Sequence, residues 1–205
     1  MAISKGARRT DGLESAEQVQ MVVEEIAKKS QTVADLFLLG VETQLRGVDM
    51  REWKWSDLDI GSQVLRITQD KTKEAVEVEL TETARDVLQA RYNERGDNVY
   101  VFQNDSNRSK GKPISRSKIH AEIQYAVDKL KARKLLPPDA VISMHSSRKT
   151  VATIAHLKGE DLEVISKMLG HRSTEHTRAY IGITQAKVDA LRTKYSTGIK
   201  RGSRS

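Results

Sequence analysis

The sequence predicts an α+β fold that is predominantly α-helical and contains a small antiparallel β-sheet. Along most of the 205 residues, apolar side chains recur at the spacing of amphipathic helices. One segment, residues 64–80, instead alternates apolar and polar residues on either side of a polar turn, as a half-buried β-hairpin does. The length of 205 residues fits one domain, or one domain with short tails, and the 38% of hydrophobic residues indicates a soluble protein with a modest core.

In the first part of the chain, the sequence pattern predicts three helices that follow an N-terminal tail. Residues 1–12 are small, basic and polar, and we expect them to be disordered. Ser15 and Gln18 then have the spacing of a capping box. The apolar residues that follow them at helical spacing are Val19, Val22, Val23 and Ile26. A second helix is predicted over residues 32–44, and a short third helix over residues 48–53.

The period of the pattern changes at the predicted hairpin. Its three segments are a strand over residues 64–69, a turn over residues 70–73 and a strand over residues 75–80. The helical pattern returns over residues 81–93, with Thr81 or Thr83 as the N-cap.

In the second half of the chain, the sequence pattern predicts mainly helices. The segments are a loop over residues 103–116, a helix over residues 117–133, a helix from His145 to Gly159, and a final helix over residues 184–195. Pro137 and Pro138 separate the first two of these helices. Leu162, Ile165, Met168 and Leu169 mark a further helix before the last one. Gly170 is expected to end that helix in the left-handed conformation. The side chains expected to face inward from the helix that begins at His145 are Val151, Ile154 and Ala155.

The charge balance indicates a polyanionic partner. There are 35 Lys and Arg residues against 28 Asp and Glu, and the net charge is +7. Nucleic acid is the simplest such partner, while many soluble proteins of this size are equally basic. Aromatic residues make up only 4% of the chain, which argues against single-strand binding on a stacking platform.

Several classes of site and location are excluded or disfavoured. The chain has no cysteine, which excludes disulfides, thiolate catalysis and cysteine-ligated zinc. The histidines lack metal-ligand spacing, so we expect no metal and no other cofactor. The basic start is not followed by an apolar run, and no window approaches the roughly 18 apolar residues of a membrane span. A cytoplasmic protein without a membrane partner is therefore expected.

Four residues near the end of the chain suit the chemistry of phosphodiester transfer. His145 and Arg148 are three apart at a predicted helix start, which puts them on one face. A guanidinium binds phosphate oxygens bidentately, and a helix N-terminus adds a favourable field. His171 follows a glycine and is a candidate hydrogen-bond donor to a phosphate. Tyr180, nine residues later, is a candidate nucleophile. Each residue alone fits an ordinary solvated or packing role equally well or better.

The segment that carries these residues resembles the tyrosine recombinase/phage integrase family. It reads HSSRKTVATIAHLKGEDLEVISKMLGHRSTEHTRAYI. The family implies an upstream arginine before a Trp-x-Asp segment, and Arg46 stands there, ahead of Trp55 and Asp57. Asp49 occupies the position of the family's acidic residue, which supports that arginine. Arg46 also fits as a helix C-terminal residue that binds carbonyl groups.

The resemblance also implies a lysine in a β-hairpin turn. The stretch from Gln69 to Thr72 resembles the family's Gln-x-Lys-Thr turn, so Lys71 would protonate the departing 5′ oxygen. Lys73 is the rival for this role, since both lysines lie in the same predicted turn.

The resemblance implies a mechanism that needs neither metal nor nucleotide. Tyr180 would attack the scissile phosphate to give a 3′-phosphotyrosine and a free 5′ hydroxyl. His145 would help to manage the tyrosine proton. The residues that would stabilise the transition state are Arg46, Arg148 and His171. Rejoining to a different 5′ hydroxyl would exchange strands without ATP.

Further basic residues are candidate contacts to DNA phosphates, although a solvated loop explains most of them equally well. They are Lys73, Arg108, Lys110, Arg116 and Arg172.

The resemblance also implies an organisation and a set of partners. A catalytic domain is expected over residues 13–183. Residues 184–205 would form a C-terminal helix and basic tail able to dock on a neighbouring protomer, in cis or in trans. The implied partners are double-stranded DNA, a homotetramer on two sites and accessory DNA-bending proteins, in a bacterial or phage-infected cell. Most integrases carry a separate core-binding domain ahead of the catalytic one, so we expect either an excised catalytic domain or a compact recombinase.

Two other activities fit the same constellation of residues. A topoisomerase-like or telomere-resolving enzyme would use the same residues. A non-catalytic DNA-binding regulator would keep the fold, but it would not need all six of the catalytic positions.

Overall fold

A helical assembly with one β-hairpin makes up the described part of the chain, which confirms the predicted fold class. The structure is a computed structural model that describes residues 10–68, 75–104, 111–169 and 173–181. The helices in these ranges are α1 (Ala16–Ala27), α2 (Gln31–Thr43), α3 (Gly47–Met50), α4 (Glu82–Asn93), α5 (Arg116–Ala132), α6 (Met144–Leu157), α7 (Leu162–Met168) and α8 (Thr174–Ile181). The strands are β1 (Val64–Thr68) and β2 (Ala75–Glu79). No helix among the described residues is long and apolar enough to cross a membrane.

Side-chain caps begin the helices largely where the sequence predicts. Ser15 Oγ accepts from Gln18 N at 3.2 Å, but the Gln18 side chain accepts from Glu14 N instead of closing the capping box on Ser15. Thr81, and not Thr83, caps α4. Serine caps begin three further helices, at Ser30, Ser115 and Ser143. Each such cap contributes about 1 kcal/mol.

The two strands pair antiparallel, with Val64 opposite Glu79 and Thr68 opposite Ala75. Arg66 and Glu77 face each other across the pair and form an exposed ion pair of 2.7 Å. The segment between the strands, with Lys71 and Lys73, lies outside the described residues. The paired strands therefore confirm the predicted hairpin, and the roles of the two lysines stay predictions.

The core is divided into a main part and a smaller part that α6 connects. The main cluster gathers apolar residues from α1, α2, α4 and α5, including the fully buried Phe37 of α2, together with the fully buried Phe102 from the segment between α4 and α5. The smaller cluster is built around Ala152, Ile165 and Ile181. Since α6 packs on α2 as well as on α7 and α8, it holds the C-terminal helices against the rest of the domain.

The buried face of α6 differs from the predicted one. Ser146, Ser147, Thr150 and Ala152 are fully buried, whereas the predicted inward residues Val151, Ile154 and Ala155 are only partly buried. The serine and threonine hydroxyls are satisfied inside the helix: Thr150 Oγ1 donates to Ser146 O at 2.8 Å. A polar face is therefore buried because its hydrogen bonds are made locally and because small side chains let α2 approach.

The segment after α7 contains a helix that the sequence analysis does not predict. Thr174–Ile181 forms α8, and only Thr177 and Ile181 of its described side chains are buried. In α7, Ile165 is buried as predicted, but Met168 is exposed. Gly170, the predicted cap of α7, and the predicted helix over residues 184–195 lie outside the described residues.

Two glycines allow the start of α6 to lie directly against α2 and α3. A Cβ added to Gly40 of α2 would overlap Ser147 Oγ and lie 3.0 Å from Ser147 Cβ. A Cβ added to Gly47 of α3 would overlap Met144 Cγ. The atom that the Gly40 Cβ would overlap belongs to the buried, short side chain of Ser147, whereas the atom next to Gly47 belongs to the partly buried Met144. The close approach fixes how the first turn of α6 sits beside the segment between α2 and α3.

We therefore expect Gly40→Ala to lower the free energy of unfolding by about 1–3 kcal/mol, because an overpacked contact forces backbone shifts. The better helix propensity of alanine offsets about 1 kcal/mol of the clash. Urea unfolding followed by circular dichroism measures the change. Gly61→Ala is the matched control, since its Cβ would only touch Asp59 Oδ1 at 3.6 Å. A Gly40→Ala protein as stable as the wild type would contradict the close-packing argument.

Candidate active site

Arg46 lies in a tight turn between α2 and α3. Helix α2 ends at Gln44, which adopts the left-handed conformation with φ 52°. Thr43 Oγ1 closes the turn by donating to Leu39 O at 2.6 Å and accepting from Leu45 N at 3.3 Å. Arg46 then occupies the N-cap position of α3, and the buried Asp49 follows within that helix. The alternative interpretation of Arg46 as a helix C-terminal residue does not hold, since it stands at the start of α3.

His145 and Arg148 share the first turn of α6, as predicted from their spacing. Ser143 caps this turn, since its Oγ accepts from His145 N at 3.2 Å and its backbone N–H donates to Ser146 Oγ at 3.0 Å. The His145 ring keeps an exposed edge, whereas Arg148 is half-buried. The cap fixes the direction in which the side chains of His145 and Arg148 leave the helix.

Arg148 connects three parts of the site. Its Nη2 donates to the carbonyl oxygen of Leu169 at 3.4 Å, directly before the segment that contains His171. Its guanidinium also donates to the hydroxyl of Tyr180 on α8. Asp49 and Arg46 are close enough to influence its charge. The predicted residues Arg46, Asp49, His145, Arg148 and Tyr180 are therefore gathered in one place.

The protonation states in the site follow from burial and from its concentration of positive charge. Burial raises the pKa of the Tyr180 hydroxyl above 10, and the opposing effect of Arg148 and Arg46 is smaller. Burial lowers the pKa of His145 below 6.5, with further lowering by Lys149, Arg148 and Arg46. At neutral pH the site thus holds a protonated phenol at Tyr180 and an uncharged imidazole at His145, and both lie near Arg148 and Arg46. Burial also lowers the pKa of Arg148, which still remains charged at neutral pH.

Sequence reasoning overlooked Lys149. The residue is 7% exposed, and its Nζ donates to Thr10 O at 2.6 Å and lies 5.0 Å from the centre of the Tyr180 ring. A lysine beside the predicted arginine was the available signal, but lysine is almost always exposed, so its burial could not be read from the residue type.

A groove beside the site brings further basic residues near His145. It lies between α3 and the first turns of α5 and α6. Arg51, Arg116 and His120 line it together with His145. Arg116, a predicted DNA contact, is therefore near the site, and His120 is a neighbour for which the sequence predicts only a surface or packing role. The other predicted residues lie outside the described residues: Lys71, Lys73, Arg108, Lys110, His171 and Arg172.

No group of three His, Asp or Glu side chains suited to holding a metal ion is found among the described residues. The chemistry available from the described part of the site is that of a phenol, a neutral imidazole and two guanidinium groups that lie close enough to influence one another's charge. This arrangement suits attack of the phenol on a phosphodiester, because the positive guanidinium groups bind the negatively charged phosphate oxygens.

The sequence profile described as the phage integrase family matches residues 14–187. The chain belongs to the phage integrase family. A relative from Methanocaldococcus jannaschii, the probable integrase/recombinase protein MJ0367, is 27% identical over 172 residues. The match covers 80% of this chain but only 51% of the relative, so the chain spans about half of that protein's length.

Solved structures share the fold of this integrase-family chain. XerA recombinase is 20% identical, with a TM-score of 0.63 over 94% of this chain and 68% of the other. The Tn1549 transposon integrase in complex with transposon right end DNA is 15% identical, with a TM-score of 0.68 over 95% and 69%. A lambda integrase dimer bound to a COC′ core site is 18% identical, with a TM-score of 0.64 over 98% and 53%. These similarities establish the tyrosine recombinase catalytic fold.

Proposed function

We propose that the chain is a site-specific DNA recombinase that cleaves and rejoins DNA strands through a 3′-phosphotyrosine intermediate, without metal or ATP. The observation that carries the proposal is the hydrogen bond from the Arg148 guanidinium to the Tyr180 hydroxyl, beside Arg46. It brings a nucleophile and two phosphate-binding cations to one point, which is the minimum that in-line phosphoryl transfer requires.

In the proposed cleavage step, the Tyr180 oxygen forms a bond to the scissile phosphorus while the bond from phosphorus to the 5′ oxygen breaks. The phenolic proton passes to the neutral imidazole of His145. The departing oxygen takes a proton from Lys71 and becomes a free 5′ hydroxyl. The phosphodiester is replaced by a phosphotyrosine diester of similar energy, so a 5′ hydroxyl from another strand reverses the step without a nucleotide cofactor.

Charge stabilisation in this mechanism comes from Arg46 and Arg148, which would bind the non-bridging oxygens. His171, which lies outside the described residues, would be a further donor. Arg148 is held by the Leu169 carbonyl before DNA arrives, so little reorganisation is needed when the phosphate enters. Asp49, close to Arg148, supports the guanidinium groups. The basic residues Lys73, Arg108, Lys110, Arg116 and Arg172 would bind flanking phosphates.

The proposed partner is double-stranded DNA, with four protomers assembled on two sites. The net charge of +7 favours a polyanion, and structures of lambda integrase and of the Tn1549 integrase contain DNA. Residues 184–205 would supply the contact between protomers, and accessory DNA-bending proteins would bring the two sites together.

Covalent capture from a random pool of DNA tests the proposal and selects the target site in one experiment. The protein is mixed in EDTA, without ATP, with nicked duplexes of randomised sequence, so that the short strand released by cleavage diffuses away. A denaturing gel then isolates protein joined to DNA. The tryptic peptide of residues 179–187 contains Tyr180 and no other tyrosine, so mass spectrometry identifies the attachment point.

The expected result is an adduct on that peptide, enriched for one DNA sequence. No adduct, or strand cleavage that depends on a metal ion, would overturn the proposal. Relaxation of a supercoiled plasmid that lacks the selected sequence would instead indicate a topoisomerase.

A further inference from the structure

Lys149 is a buried cation whose position places it against the candidate nucleophile. Only 7% of the residue is exposed, and its ammonium lies 5.0 Å from the centre of the Tyr180 ring. Its neighbour Arg148 donates to the hydroxyl of the same tyrosine. Two consecutive residues of α6 therefore contact the two ends of one side chain on α8.

The ammonium of Lys149 is fixed by residues 10–13, a segment that we call the N-terminal strap. Nζ donates to Thr10 O at 2.6 Å. The sequence predicts a disordered tail for most of this strap, but it lies along α6. Asp11 exchanges two hydrogen bonds of 2.8 Å with the backbone of Val141, and Leu13 N donates to Thr150 Oγ1 at 3.1 Å.

Close packing further restricts the strap. A Cβ on Gly12 would overlap Thr153 Oγ1 and lie 3.1 Å from the backbone carbonyl oxygen of Lys149. The strap therefore has little freedom to shift along α6, and the acceptor at Thr10 gives the lysine side chain one well-defined direction.

We propose that Lys149 is a positioning residue that holds the Tyr180 ring against α6, so that the hydroxyl stays in line with Arg148 and the bound phosphate. A cation over an aromatic face is attracted by the ring quadrupole, more strongly where water is excluded. The alternative is that Lys149 only fastens the strap to α6. This inference rests on the proposed function for its kinetic part, but the position of the tyrosine is testable without DNA.

Removing the ammonium also has a predictable effect on His145. Lys149 and Arg148 from α6 and Arg46 from the turn before α3 act together to lower the pKa of that imidazole. Arg51, Arg116 and His120 line the groove that His145 borders, and they are unchanged in a Lys149 variant. Loss of one positive neighbour favours the imidazolium form of His145, so the pKa of the imidazole rises. As the pH is lowered, the rate of cleavage therefore begins to fall at a higher pH than in the wild type.

Three variants distinguish a role of Lys149 in positioning Tyr180 from a role in attaching the N-terminal strap to α6. Lys149→Met keeps the apolar stem and removes the charge, and Lys149→Arg keeps a cation that reaches both Thr10 and the ring. Asp11→Ala is the structural control, because it removes the hydrogen bond from Val141 N to Asp11 Oδ2 but keeps the backbone bond from Asp11 N to Val141 O and the contact of Thr10 O with Lys149. Single-turnover cleavage of the captured DNA sequence is measured between pH 5.5 and 8.5, together with DNA affinity and the thermal midpoint.

We expect Lys149→Met to lower the cleavage rate at least about tenfold, with unchanged DNA affinity, because small misplacements of a nucleophile are costly. In this variant, the pH at which the cleavage rate has fallen to half on the acid side is higher than in the wild type. Lys149→Arg restores the rate, and Asp11→Ala lowers the thermal midpoint with little change in rate. Equal loss of rate in Lys149→Met and Asp11→Ala, or a wild-type rate in Lys149→Met, would overturn the proposal.

Labelling the protein with 3-fluorotyrosine gives a readout that does not depend on catalysis. The resonance of Tyr180 is assigned by its loss in Tyr180→Phe. We expect it to shift and narrow in DNA-free Lys149→Met and to keep its position in Asp11→Ala. If wild-type protein forms no adduct but this resonance responds as expected, the proposed function fails and the positioning role stands. An unmoved resonance in Lys149→Met refutes the positioning role itself.

Discussion

A Tyr180→Phe protein is expected to bind duplex DNA as tightly as the wild type and to form no covalent adduct with it. The substitution removes only the hydroxyl oxygen, which is the atom proposed to bond to phosphorus. The ring remains packed on the smaller core cluster and against the ammonium of Lys149, so the fold is retained. A mobility-shift assay measures binding, and a denaturing gel with the nicked duplex measures the adduct.

Tyr125→Phe provides the control for this experiment. Tyr125 is a partly exposed tyrosine on α5, where Lys29 and Lys129 lie over its ring at 4.6 and 5.5 Å. It therefore shares a cationic environment with Tyr180 but belongs to a different helix. Adduct formation should be unchanged in this protein. An adduct that persisted in Tyr180→Phe would move the nucleophile to another residue.

Replacing Arg148 should have the second largest effect. We expect Arg148→Ala to lower the rate of cleavage by about 10²–10³-fold, the usual cost of removing one preorganised donor to a developing charge. Arg148→Lys should recover only a small part of that loss. A lysine offers one point charge, whereas the guanidinium reaches the Tyr180 hydroxyl, the Leu169 carbonyl and the proposed phosphate from one plane.

Rapid-quench kinetics with the nicked duplex measures this loss, and DNA affinity is recorded alongside. Arg85→Ala is a matched control, because Arg85 is an exposed arginine on α4. Full recovery by Arg148→Lys would mean that net charge alone, and not bidentate geometry, explains the role of this residue.

The sequence predicts the part of this site that lies within a single turn of helix. His145 and Arg148 meet because a spacing of three residues places them on one face, whereas the serine cap at Ser143 that begins the helix was not predicted. Arg46 and Tyr180 join them only through tertiary packing, and their assignment depended on the family resemblance. Lys71 and His171 stay predictions, since no described residue tests them.

Other features arise from contacts between distant parts of the chain, which no local pattern records. The burial of Lys149 depends on Thr10, 139 residues away in sequence. The polar buried face of α6 depends on the absence of a side chain at Gly40. Helix α8 has too few buried residues, chiefly Thr177 and Ile181, to produce a helical pattern of its own.

The hydrogen bond between Thr10 and Lys149 brings the two ends of the described chain to the same place. Thr10 and α8 both lie next to the ammonium of Lys149, which also faces the ring of Tyr180. The first described residue of the chain and its last described helix are therefore joined through a single side chain, which belongs to α6 and not to the main core cluster.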